Sequence, residues 1–120
     1  MTEKHLGNFE EVILLMTGIL GENAYAFRVA EEIEIQTGNS ASIGAIHSTL
    51  TRLENKGFLS SQFGKPTVER GGRRKRIYTI TALGKRALAA SRDLKQSLWK
   101  QYPDIVLEYL LSGNLILSKN

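Results

Sequence analysis

Between Arg70 and Arg76 the chain reads Arg-Gly-Gly-Arg-Arg-Lys-Arg, so five cations fall within seven residues around two adjacent glycines. Guanidinium and ammonium groups at this density bind polyanions, and glycines let the segment that carries them conform to its partner. A second set of residues lies upstream, where Ser42, Gly44, Ala45, His47, Ser48, Thr51 and Arg52 recur at helical spacing. Small and hydroxyl side chains with one long cation suit close approach to a grooved, hydrogen-bonding surface. Water alone would not select that face, because solvent-exposed helix faces tend to collect Glu and Lys.

Other chemistries lack their residues. With no cysteine there is neither a disulfide framework nor a thiolate metal site, and the two histidines, His5 and His47, have no partners at metal-ligand spacing. His47 and Ser48 are neighbours, but consecutive helix residues point about 100° apart, which separates a base from its nucleophile. The glycines near Lys65 do not have the spacing of a phosphate loop. The sequence therefore reads as non-enzymatic, with no cofactor and no metal. The polar, acidic start is unlike a secretory signal, and no apolar run reaches membrane-spanning length, so a soluble, cytoplasmic protein is expected.

The formal net charge is +4 over 120 residues, a mild excess whose distribution matters more than its size. The first third is acidic, with Glu10, Glu11, Glu22, Glu31, Glu32 and Glu34, and the cations concentrate after it. Such polarity presents one basic projection from a neutral or acidic body.

The elements that would position these groups follow from periodicity. Phe9, Val12, Ile13, Met16, Ile19 and Leu20 trace one helical face, which Leu14 and Leu15 widen, and the helix stops near Gly21. A second helix is predicted from about Ala24 to Thr37, capped by Asn23 and stopped by Gly38, with Tyr25, Ala26, Val29, Ala30 and Ile33 inward. In the third helix Ser42 is the cap, and Ile43, Ile46, Leu50 and Leu53 cluster within about 80° of arc. Opposite them lie Gly44, Ala45, Ser48, Arg52 and Asn55, with Thr51 at the edge and Gly57 closing the helix.

The period then changes. Phe58–Gly64 and Arg76–Thr81 read as the strands of a hairpin whose tip carries the basic cluster. Thr81 caps a fourth helix to about Gln101, with Leu83, Ala87, Ala90, Leu94 and Leu98 along one seam, and Pro103 interrupts it. A short apolar helix to about Leu111 and an irregular end follow.

Three helices and a basic hairpin in this order are the plan of a winged helix-turn-helix, a mainly α (α+β) fold. The expected division is a DNA-binding domain over residues 1–81 and a dimerisation helix with a short apolar tail over residues 82–120. Gly44 and Ala45 leave room for the third helix in a major groove about 12 Å wide. Ser48 and Thr51 can bond bases or phosphates, and free amides near Ser42 can meet a phosphate. Arg70, Arg73, Arg74 and Lys75 would grip the backbone or enter the minor groove. Arg52 has two readings: a guanine-edge contact, or a surface partner of Glu10, Glu11 or Glu54.

At "LGNFEEVILLMTGIL", "SIGAIHSTLTRLENKGFLSS" and "ERGGRRKRIYTITALGKRAL" the chain resembles the PadR-like transcriptional regulators, from about Leu6 to Leu88. It is similar to their short branch, which has a single C-terminal helix. The resemblance implies a homodimeric repressor of double-stranded DNA with an inverted-repeat operator, often relieved by a small molecule. His47 stands where the family usually places a tyrosine, and imidazole can still donate to a phosphate. The C-terminal helix would supply the dimer contact through Leu94, Leu98 and Trp99. Trp99 and Tyr102 have two readings, interface core or a stacking site for a flat aromatic effector. The apolar residues after Pro103 would pack on the first helix or on a partner subunit. The alternative from another class is a winged-helix protein-interaction module without DNA binding. Such modules usually lack basic wings and small-residue recognition faces.

Overall fold

The computed structural model describes residues 5–66, 74–104 and 108–112. Its elements are α1 (Asn8–Leu20), a 3-10 turn (Gly21–Asn23), α2 (Ala26–Thr37), α3 (Ile43–Asn55), β1 (Leu59–Pro66), β2 (Arg74–Ile80) and α4 (Ala82–Gln101). Residues 108–112 are also helical. The chain divides into two compact units, Met1–Leu88 and Ala89–Asn120, with the boundary inside α4.

In the first unit α1, α2 and α3 enclose a core in which Ile13, Leu14, Val29, Ile46, Leu50 and Leu53 are fully buried. Phe58, Leu59 and Tyr78 close it from the hairpin side, and Ala87 and Leu88 pack against it from the start of α4. β1 and β2 form an antiparallel pair in the register Leu59↔Ile80, Ser61↔Tyr78 and Phe63↔Arg76, with an irregularity between Phe63 and Pro66. One backbone bond ties the hairpin to the helices: the Tyr78 amide donates to the Ala24 carbonyl at 2.9 Å.

The expected helix ends are present where a local bond makes them. Ser42 Oγ accepts from the Ala45 amide at 3.1 Å. Thr81 Oγ1 accepts from the Gly84 amide at 3.0 Å and donates to the Gly57 carbonyl at 2.6 Å, so one hydroxyl starts α4 and holds it to the end of α3. Gly38 and Gly57 take φ of 76° and 84°, the left-handed region where a side chain would be strained.

Two expectations need correction. Asn23 does not cap α2; it ends the 3-10 turn, and Tyr25 occupies the cap position without a side-chain bond. The buried face of α1 is also rotated from the predicted one. Glu10, Ile13, Leu14, Met16 and Thr17 are inside, whereas Phe9, Val12, Leu15 and Ile19 are exposed in the single chain. α1 is apolar over more than half its circumference, so its pattern does not select the inner face. Glu10 helps select it, because its carboxylate is drawn inward by the Gly7 amide, Lys56 and Arg52.

Candidate nucleic-acid interface

α3 presents Gly44, Ala45, His47, Ser48, Thr51, Arg52 and Asn55 outward while Ile46, Thr49, Leu50 and Leu53 are buried. Around Gly44 there is open space: a Cβ built there meets no neighbour within 4 Å. Ser42, Gly44, Ala45 and Ser48 therefore form a shallow, small-residue surface over the first turns of α3, where amides not used by the helix point outward.

Beside it runs an open groove of about 1170 Å³ whose walls include His47 and Thr51 of α3, Phe63 of β1, and Arg74, Lys75 and Arg76 of β2. Thus the hairpin brings its cations alongside the exposed face of α3. Lys75 Nζ lies 4.2 Å from the Tyr25 ring centroid, and the Arg76 guanidinium carbon lies 4.5 Å from that of Phe63. A ring face orients a cation without neutralising it, so the Lys75 charge remains available to an anion. Arg70 and Arg73, expected at the tip, lie outside the described residues.

A polar relay that the sequence did not announce couples the hairpin to α3. Arg76 Nη1 donates to Ser61 Oγ at 2.8 Å, and Ser61 Oγ donates to Glu54 Oε2 at 2.6 Å. Arg76 and Glu54 were legible as charged residues, but their meeting depends on the strand register that faces Ser61 towards α3. Burial within the same wall raises the pKa of the Tyr78 phenol from its ordinary value.

Arg52 occupies a different environment from the wing cations. Its Nε donates to Glu10 Oε2 at 3.0 Å, and its Nη2 donates to Thr49 Oγ1 at 3.3 Å. Of its two expected readings, this arrangement is the partnership with Glu10. Lys56 Nζ donates to both oxygens of the same carboxylate, at 2.8 and 2.9 Å, and to the His5 carbonyl at 2.6 Å. The Gly7 amide adds a further bond to Glu10 at 2.8 Å, securing the start of α1. Burial alone would raise the Glu10 pKa; the bonds from Lys56, Gly7 and Arg52 outweigh it and lower the value to about 2.

Leu94, Leu98, Trp99 and Tyr102 are all more than half exposed along α4 and just beyond it, and the Tyr102 amide donates to the Trp99 carbonyl at 3.3 Å. The large apolar side chains of Tyr109, Leu110 and Leu111 in the second unit are exposed too. Among the described residues no group of acidic or histidine side chains could hold a metal ion, and no single helix is long and apolar enough to cross a membrane.

The description "Transcriptional regulator PadR-like family" matches residues 15–90. The chain belongs to the PadR-like family. A DNA-binding transcriptional regulator, not an enzyme, is therefore what the winged-helix unit serves. The fold is shared with solved structures at low identity. A PadR-like transcription factor from Bacteroides fragilis is 22% identical, with a TM-score of 0.66 over 81% of this chain and 88% of that one. A transcriptional regulator from Clostridium thermocellum is 24% identical, with a TM-score of 0.62 over 81% and 91%. One from Thermoplasma acidophilum is 22% identical, with a TM-score of 0.60 over 79% and 89%. No curated protein matches the sequence.

Proposed function

We propose that this PadR-like regulator is a homodimeric repressor of an inverted-repeat operator, with α3 in the major groove and the hairpin wing on the backbone or minor groove. The observation that carries the reading is the juxtaposition of the small-residue face at Gly44, Ala45 and Ser48 with the cations Arg74 and Lys75. A helix with that face can approach base edges, and cations beside it can hold the flanking phosphates. His47 and Thr51 line the groove beside these cations, and both side chains can donate to a phosphate. The dimer reading is supported by the exposure of Leu94, Leu98 and Trp99, large apolar side chains that a single chain leaves to water. A two-fold dimer would set its recognition helices about 34–36 Å apart, one duplex turn. Relief by a flat aromatic effector at Trp99 and Tyr102 would require that ligand to prefer a dimer shape that does not fit DNA.

Selection from a random duplex pool followed by binding titrations tests the proposal. The expected product is an inverted repeat with half-sites one turn apart, bound by a dimer. Replacing Arg74 and Lys75 with Ala should weaken operator and random DNA alike and flatten log K against log salt by about one per lost contact. Enrichment of no sequence, with random duplex unbound even at low salt, would instead favour the protein-interaction module. Titration of the single tryptophan with a small aromatic library tests the effector: a compound must quench Trp99 and lower operator affinity together.

A further inference from the structure

The Glu10 cluster stands at the edge of the face assigned to DNA, and its geometry is that of a restraint on charge. Four hydrogen bonds converge on one nearly buried carboxylate: one from the Gly7 amide, two from Lys56 and one from Arg52. Its two cationic partners are unequal. The Lys56 side chain is 25% exposed, with its ammonium also bonded to the His5 carbonyl, whereas the Arg52 side chain is 52% exposed and on the outward face of α3. Glu10 comes from a helix 42 residues away from Arg52 in sequence, so this is a tertiary contact and not a pairing within α3. By contrast Lys75 is held over the Tyr25 ring, which orients its ammonium without neutralising it. A wing cation is thus oriented without neutralisation, whereas Arg52 and Lys56 are held by a buried acid.

We infer that Glu10, itself fixed by Lys56, is a positioning residue that withholds the Arg52 cation from DNA phosphates, limiting sequence-blind binding by the recognition-helix side of the interface. The inference rests on the DNA-binding reading. Sequence-blind affinity grows with each phosphate neutralised, whereas discrimination comes from base contacts, so sequestering cations beside α3 raises the ratio of specific to random binding. Arg52 then ties α3 to α1 through its Nε bond to Glu10 instead of reaching for a base.

The test compares wild type, Glu10→Gln, Arg52→Gln and the double variant on selected operator and on random duplex, across several salt concentrations. Glu10→Gln should bind random duplex at least about threefold more tightly at low salt, with the slope of log K against log salt steeper by about one per protomer. Its operator-to-random ratio should fall. Arg52→Gln alone should leave random binding and its slope unchanged, and in the Glu10→Gln background it should reverse most of the gain. A purely structural Glu10 would instead lower operator affinity without steepening the slope, which overturns the inference. If Glu10→Gln does not fold, Arg52→Gln decides: a slope flattened by about one per protomer places that cation on DNA and overturns the withholding. Wild type that binds no duplex at low salt would overturn the DNA-binding reading itself, a separate outcome.

Discussion

Substitution of Gly44 separates a helix chosen for stability from one chosen for access. Gly44 is the second residue of α3, it is not among the positive-φ glycines, and a Cβ there meets nothing within 4 Å. Alanine in a helix interior is about 0.5–1 kcal/mol better than glycine because it restricts the unfolded chain and leaves less backbone exposed. Near the first turn the lower end applies, so Gly44→Ala should stabilise the protein by about 0.5 kcal/mol and raise Tm by roughly 2–4 °C. Gly44→Leu should also fold, since the space around that position is solvent. Towards DNA the order reverses. If the start of α3 lies against base edges, the added side chain takes the volume of the groove wall. Gly44→Leu should then lose roughly tenfold in operator affinity (about 1.4 kcal/mol), with Gly44→Ala between it and wild type. Thermal melting by circular dichroism and fluorescence anisotropy on labelled operator measure the two effects on the same samples. Operator binding by a folded Gly44→Leu protein at wild-type strength would refute the placement of this face, and a lowered Tm for Gly44→Ala would refute the local structural argument.

Acid should weaken the fold through Glu10. Its carboxyl is held at about 2 against an ordinary 4.5, so its contribution is complete above about pH 4.5 and is lost as pH falls towards 2. Full conversion of that shift is about 3.4 kcal/mol, and solvent at the partly exposed Arg52 and Lys56 reduces the expected cost of Glu10→Gln at neutral pH to about 2 kcal/mol. Urea titrations at several pH values should show the wild-type advantage over Glu10→Gln vanish across that window; a constant difference would remove the assignment. At Gly84 a Cβ would lie 2.3 Å from the Phe58 carbonyl oxygen and 3.0 Å from Ile80 Cγ2, so Gly84→Ala must push α4 off the hairpin. It should cost about 2–3 kcal/mol in chemical denaturation, whereas Gly18→Ala, which meets only the tip of Ile80 at 2.9 Å, should change stability by under about 1 kcal/mol. Leu98 is 54% exposed in the single chain, so if the proposed dimer forms through α4, Leu98→Glu should leave the monomer folded by circular dichroism while light scattering falls from dimer to monomer mass; an unchanged mass would remove Leu98 from the proposed contact.

Several features of the site were readable because their causes are local. Ser42 and Thr81 cap their helices through bonds spanning three residues, and Gly38 and Gly57 stop theirs through a conformation glycine adopts without strain. The outward face of α3 was readable for a related reason: Ile46, Leu50 and Leu53 sort the helix into two sides with little ambiguity, and Gly44, Ala45 and Ser48 fall on the other. α1 offered no such sorting. Val12 and Leu15 are as apolar as Ile13 and Leu14, and only contacts with the other elements decide which pair is buried. Tyr25, not Asn23, precedes α2 because Asn23 is the last residue of the 3-10 turn, and Ala24 after it accepts from the Tyr78 amide of the hairpin.

By itself the sequence determined the order of elements, the helix ends at Gly38, Ser42, Gly57 and Thr81, the small-residue face of α3 and the concentration of positive charge after the helices. Each follows from the period of apolar residues or from bonds between near neighbours, which the chain carries wherever it folds. The tertiary structure alone decided which charges are engaged. Glu10, Arg52 and Lys56 lie 42 to 46 residues apart in the bonds they make, and Glu54, Ser61 and Arg76 meet only through strand register. A composition counts those side chains as equal charges. Packing distinguishes them, because a cation hydrogen-bonded to a buried carboxylate is neutralised in place, while one over an aromatic ring keeps its charge for a partner.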